Sequence, residues 1–334
     1  MVSQARVLPT ISRKQQAGQA AVDAAPGETP KQAYRLRARL CFLLAAIALG
    51  TLIAGFWNAG LADGFGRNVV AGNTVGNPDG LAGGFGDRGF GFGFIFAAVA
   101  GLAATFTACN CAAFAMIPGQ ACSTATSATR KQALGALAAL LTSVLLVGAV
   151  YGAYVGLLGP DGIKPFNSRS ISMAQAQTIF TTIGIVMILW AALTLGFLDS
   201  FVSRLSPATR TFFSQATVKS LAMGVLIGLF AVGRPLPVFR DLLVYAAAAK
   251  SPLYGAGVMM IQNLAQIAVM VTLLLVVVFG FGERLSRWVQ RKPYQPALIS
   301  ALALAAGGMF FAFYWGIALG WNLGNWGVKL GLYH

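Results

Sequence analysis

Seven apolar stretches, near 40–58, 91–117, 132–158, 174–199, 218–249, 255–281 and 297–321, dominate the chain. Each is close to or longer than the roughly 20 residues with which an α-helix crosses a bilayer core. Backbone polar groups in hydrocarbon must be satisfied within the segment, so runs of this kind fold as membrane helices. The 334 residues are 57% hydrophobic and 10% charged, which excludes a soluble enzyme and, over most of the length, disorder. The expected fold is an all-α polytopic membrane protein with about seven transmembrane helices.

The chain carries 24 Lys+Arg against 9 Asp+Glu, a net charge of +15. In a soluble protein that balance points to nucleic acid, whereas in a membrane chain it reports cytoplasmic loops, and no nucleic-acid partner is expected. Alternate loops share the basic residues unequally. The N-terminal tail, Arg130 with Lys131, Arg204 to Lys219 and Arg284 to Lys292 hold 16, and the opposite side, with Arg67, Arg88, Lys164, Arg169, Lys250 and Lys329, holds 6. This bias predicts a cytoplasmic N-terminus and an outer C-terminus in a cell (inner) membrane. Residues 1–39 read as a basic, disordered tail, too long for the start of a secretory leader. Residues 40–89 supply an extra N-terminal span and an outer Gly-rich loop, 90–321 the main membrane domain, and 322–334 an outer tail. The Gly-rich loop, with Gly-Phe-Gly at Gly64–Gly66 and Gly84–Gly86, is expected to be a solvated connector or a flexible cap over an outward opening. It lacks the Lys-Ser/Thr of a phosphate loop.

Two spans are interrupted. The second contains Cys109, Asn110 and Cys111 and runs into Pro118-Gly119; the fifth, too long for one plain crossing, contains Gly233-Arg234-Pro235-Leu236-Pro237. Pro235 and Pro237 remove two backbone donors, so helical geometry must fail there. Such a break is tolerated only where the backbone is buried or faces a watery cavity. The segments Leu102 to Cys111 and Leu226 to Pro235 share Leu and Phe positions, and each opens a set of three spans of opposite predicted orientation. That is the pattern of an inverted 3+3 repeat, with the broken helices meeting at the midplane and Cys109, Asn110 and Cys111 opposite Arg234.

The segment around Cys109 to Pro118 resembles the first cysteine helix of the DsbD/CcdA family, the cytochrome c biogenesis transmembrane region. Gly233 to Gln266 resembles its second, and the resemblance covers about 90–321. A methylamine-utilisation (MauF-like) branch of the same superfamily is a further candidate. The resemblance implies relay of reducing equivalents across the membrane through thiols, a thioredoxin-like thiol protein as partner on one or both sides, and no cofactor. In that family each broken helix carries one cysteine. Here the second position falls at or next to Leu236, so a disulfide between the two broken helices cannot form.

Three chemistries suit the Cys-Asn-Cys element. Cys109 and Cys111 can cycle between dithiol and disulfide, with Arg234 lowering a thiol pKa. They can present soft sulfur to Cu(I) or a similar metal in an alternating-access carrier, with Met116 or Cys122 as a further ligand. They can simply pack, in a structural assembly factor, as the lone Cys41 of the first span is expected to do. Around them, Pro118, Pro235 and Pro237 shape the breaks. Arg234 at bilayer depth costs about 3 kcal/mol on insertion scales and calls for a partner or a wet cavity. Asp241, two turns on, pairs with it, or else Arg240 and Asp241 are interfacial. Gln262 and Gln266 share a face at i, i+4, beside Asn263, and either cross-link helices or line the cavity. The only histidine is His334, so neither histidine catalysis nor haem ligation is expected within the spans.

Overall fold

The computed structural model describes residues 36–76, 81, 84–105, 107, 130–199, 204, 215–292 and 294–332. The described residues contain helices and no strand. Among the described residues six helices are long and apolar enough to cross a membrane, and a bent pair supplies a seventh crossing if counted as one span. The chain is an all-α polytopic membrane protein.

Helix α1 spans Leu36–Gly55. A second helical run, α2, is α-helical over Ala59–Gly64, π-helical over Phe65–Ala71 and α-helical again over Gly72–Val75. Then come α3 (Phe85–Thr105), α4 (Arg130–Phe166) and α5 (Arg169–Thr194). The fifth apolar stretch is α6 (Ala216–Val232) and α7 (Pro237–Ala248), bent by 85° at the expected prolines. Helix α8 spans Pro252–Arg291, α9 spans Tyr294–Phe311 and continues as a π-helix over Ala312–Ala318, and a short α10 spans Trp326–Lys329.

The Gly-rich connector departs from expectation. Its described residues are largely helical, with Ala71 and Leu81 buried, and Gly66 lies against the Ala103 carbonyl of α3, where a Cβ would clash. These described residues form helix rather than loop, because small residues let α2 press onto α3. The third span also runs further than its apolar stretch. Gly159, at φ 63, kinks α4, and Pro160 then restarts a short helical end.

Interhelical packing has the exchange symmetry of the expected inverted repeat. Helices α3 and α8 run parallel, with Gly93 beside Tyr254 and Gly101 beside Gln262; α6 and α4 likewise run parallel, with Gly224 beside Leu140 and Gly228 beside Val147. The opening helix of each unit therefore packs on the second helix of the other. The second helices meet each other antiparallel, Gly148 by Met259, Gly152 by Gly255 and Gly156 by Ser251, and the third helices do so at Gly184 and Gly308. Glycines at four-residue spacing let the backbones touch, which in lipid replaces the hydrophobic effect as a source of close packing. Exposed Leu146, Val150 and Leu157 of α4, and Ile185, Leu189 and Leu193 of α5, form stripes at helical spacing suited to lipid.

Helix α1 stands outside the two units. It packs on α9 through Gly50 and Ala306, and Arg39 donates to the Leu195 carbonyl at 2.7 Å. That cation closes the C-terminal end of α5, where unpaired carbonyls concentrate negative charge.

Candidate functional site

The break between α6 and α7 follows from its prolines. Without an N–H on Pro235, the Ala231 carbonyl takes the Arg234 N–H at 3.4 Å in a tightened last turn. The Val232 carbonyl instead accepts from Gln175 Nε2 of α5 at 2.9 Å. Pro237 opens α7 in the first turn, where a missing N–H costs nothing.

Arg234 is swung inward by this bend and is 1% exposed. Its Nη1 donates to Gln266 Oε1 at 2.9 Å, and Gln262 Nε2 donates to the same oxygen at 3.2 Å. The Gln266 backbone carbonyl accepts from Thr105 Oγ1 at 3.1 Å, at the last residue of α3. Asn263 Nδ2 reaches the Val144 carbonyl of α4 at 3.1 Å. The guanidinium also lies 5.8 Å from the Phe239 ring centre, within cation–π range. The two glutamines thus share one oxygen at the centre of a polar layer among α3, α4, α6 and α8, and Arg234 is its charge.

Cys109, Asn110, Cys111 and Pro118 lie outside the described residues, as do Met116 and Cys122. The chain enters that segment from Thr105, four residues before Cys109, at the point where Gln266 and Arg234 converge. Cys41 is exposed on α1. Leu236 is buried; Pro235 is partly buried and Pro237 exposed. Asp241 is half-buried on α7, and the hydrogen bond described for Arg234 goes to Gln266.

Arg240 is buried within the protein, 6% exposed. Tyr151 of α4 lies close to it, and Asn167 Nδ2 approaches its carbonyl at 3.5 Å. Sequence reading missed Tyr151, Asn167 and Gln175. Gln175, an amide inside an apolar run, carried a signal; Asn167 in a turn and Tyr151 among packing residues carried none.

Near the N-terminal end of α3, Gly89 adopts φ 68 and interrupts helical bonding. Tyr245 donates to its carbonyl at 2.8 Å and Tyr254 to that of Phe90 at 3.0 Å. These bonds tie α3 to α7 and α8 and fix the approach of α3 to the break.

No family model, curated protein or solved structure matches the chain.

Proposed function

We propose that the chain is a membrane thiol-redox protein of DsbD/CcdA-like type, in which Cys109 and Cys111 pass reducing equivalents between thioredoxin-like partners. The observation carrying this reading is the buried Arg234, held by Gln266 where α3 leads toward Cys109. A guanidinium stays charged at any accessible pH, and a thiolate is the nucleophile of exchange, so a fixed cation nearby favours the reactive form.

The missing cysteine at Leu236 changes the bookkeeping of the relay. One thiolate of the pair attacks a partner's disulfide, forming a mixed disulfide and releasing a partner thiolate. The other thiol then resolves it, leaving Cys109 and Cys111 oxidised and the partner reduced by two electrons. A second partner's dithiol restores the pair. The protein lies in the cell (inner) membrane with its N-terminus cytoplasmic and its C-terminus outside.

Thiol labelling of the full chain under reducing and oxidising conditions tests the reading: Cys109 or Cys111 should change reactivity while Cys41 does not. A response from Cys41 alone sinks it. Reporter fusions at Pro207 and at His334 should report inside and outside respectively, and equal signals overturn the orientation.

Carriage of a soft metal ion or small solute is the second reading: Cys109 and Cys111 would supply soft sulfur, and the buried amides Gln262, Asn263 and Gln266 would line a polar path at the bundle centre. Arg234→Leu separates the two. Loss of a fixed cation beside sulfur ligands should strengthen Cu(I) binding, whereas it should weaken a thiolate relay.

A further inference from the structure

The thiol reading leaves Arg240 unused, and its setting is unlike that of Arg234. Its Nε, Nη1 and Nη2 are buried without a hydrogen-bond partner among the described residues. A guanidinium offers five N–H donors in a planar fork and no acceptor. Three more buried polar atoms without a partner belong to the residues around it: Tyr151 Oη, Asn167 Oδ1 and Gln175 Oε1. Tyr151 lies close to both Arg240 and Gln175, and Asn167 Nδ2 reaches the Arg240 carbonyl at 3.5 Å. The four side chains come from α4, the turn after it, α5 and α7, so they form one cluster rather than scattered exceptions.

We infer that Arg240, Tyr151, Asn167 and Gln175 form a binding site for a small oxyanion or carboxylate, distinct from the thiol centre. A buried charge is ordinarily paired, and among the described residues the three guanidinium nitrogens of Arg240 meet no acceptor. The fork matches two oxygens of a carboxylate or of a tetrahedral oxyanion, and the tyrosine hydroxyl supplies a neutral donor beside it. Arg240 stands on the first turn of α7, whose cap residue Leu236 has no side-chain acceptor, so the helix end adds positive potential where the anion would lie. Asn167 and Gln175 contribute acceptors suited to a protonated oxygen or hydroxyl of the same solute. Gln175 also holds the Val232 carbonyl at the end of α6, so the anion would sit against the bend between α6 and α7.

The test is binding of radiolabelled sulfate, phosphate and acetate to the purified full chain in detergent. Saturable binding of at least one is expected, weakened about tenfold or more by Arg240→Gln, less by Arg240→Lys, and several-fold by Tyr151→Phe. Binding that persists unchanged in Arg240→Gln overturns the site, as does its absence for all three anions in the unaltered chain. If Arg240→Gln yields no folded protein, Tyr151→Phe and Gln175→Leu carry the test, and unchanged affinity in both overturns it. A double Cys109→Ser, Cys111→Ser variant should bind as the parent does, so failure of the thiol reading and failure of this one show up separately.

Discussion

Arg234 and Arg240 lie six residues apart on either side of one bend, and both are buried, yet their surroundings differ in kind. Arg234 donates to a glutamine that is itself fixed by a neighbouring glutamine. The donor atoms of Arg240 meet no acceptor among the described residues, although two amide oxygens without a partner belong to the same cluster. Burial alone therefore says little about the role of a membrane arginine. What separates a charge built into the scaffold from one kept for a ligand is whether the protein spends its own acceptors on it.

That contrast is most exposed to attack through the acceptor of Arg234. Gln266→Leu leaves a guanidinium buried without its described hydrogen bond, and the expected cost is about 3 kcal/mol or more of stability, read from denaturant unfolding in mixed micelles. A cost below about 1 kcal/mol would mean Gln266 does not hold the charge. Arg240→Met should have the opposite sign. Replacing an unpaired charge by an apolar chain of similar length should leave stability unchanged or raise it by about 1–3 kcal/mol in anion-free buffer. A clear loss there would make Arg240 structural and erase the difference between the two arginines.

Thiol chemistry sharpens the comparison further. Removing a nearby cation disfavours the thiolate, so Arg234→Leu should raise the apparent pKa of the reactive thiol by about one unit, with Arg240→Leu having less effect. The pH dependence of alkylation measures both, and equal shifts would show that position within the break is irrelevant. The smallest effect is expected from Gln175→Leu, which frees the Val232 carbonyl. Interhelical hydrogen bonds in membranes are worth about 0.6 kcal/mol on average, so a loss near that size is expected in the same unfolding measurement.

The spans and the bend were readable because each depends on local chemistry: apolar length fixes a crossing, and Pro235 with Pro237 fixes a failure of helix bonding. The helical course of the Gly-rich connector's described residues was not readable, for a physical reason. Glycine marks loops where water competes for the backbone, but against α3 the absence of a side chain at Gly66 permits contact with the Ala103 backbone, and the segment stays helical. Arg234 and Gln266 were legible as improbable polar residues in apolar runs, though not their hydrogen bond. The burial of Arg240 was not legible, since it depends on which face α7 turns inward after an 85° bend. Nor was its company, for Tyr151, Asn167 and Gln175 come from elsewhere in the chain.

The approach of Gly152 to Gly255 bears on ancestry. In a three-helix precursor able to insert in either orientation, the same glycine would have faced its own inverted copy, so every substitution there altered both sides of the contact at once. Joining two such units into one chain releases that constraint. Each half can then change on its own, and the two sequences already differ, with Cys109 and Cys111 following the first opening helix and Arg234 and Leu236 following the second. At the Gly152–Gly255 contact both halves present the same residue.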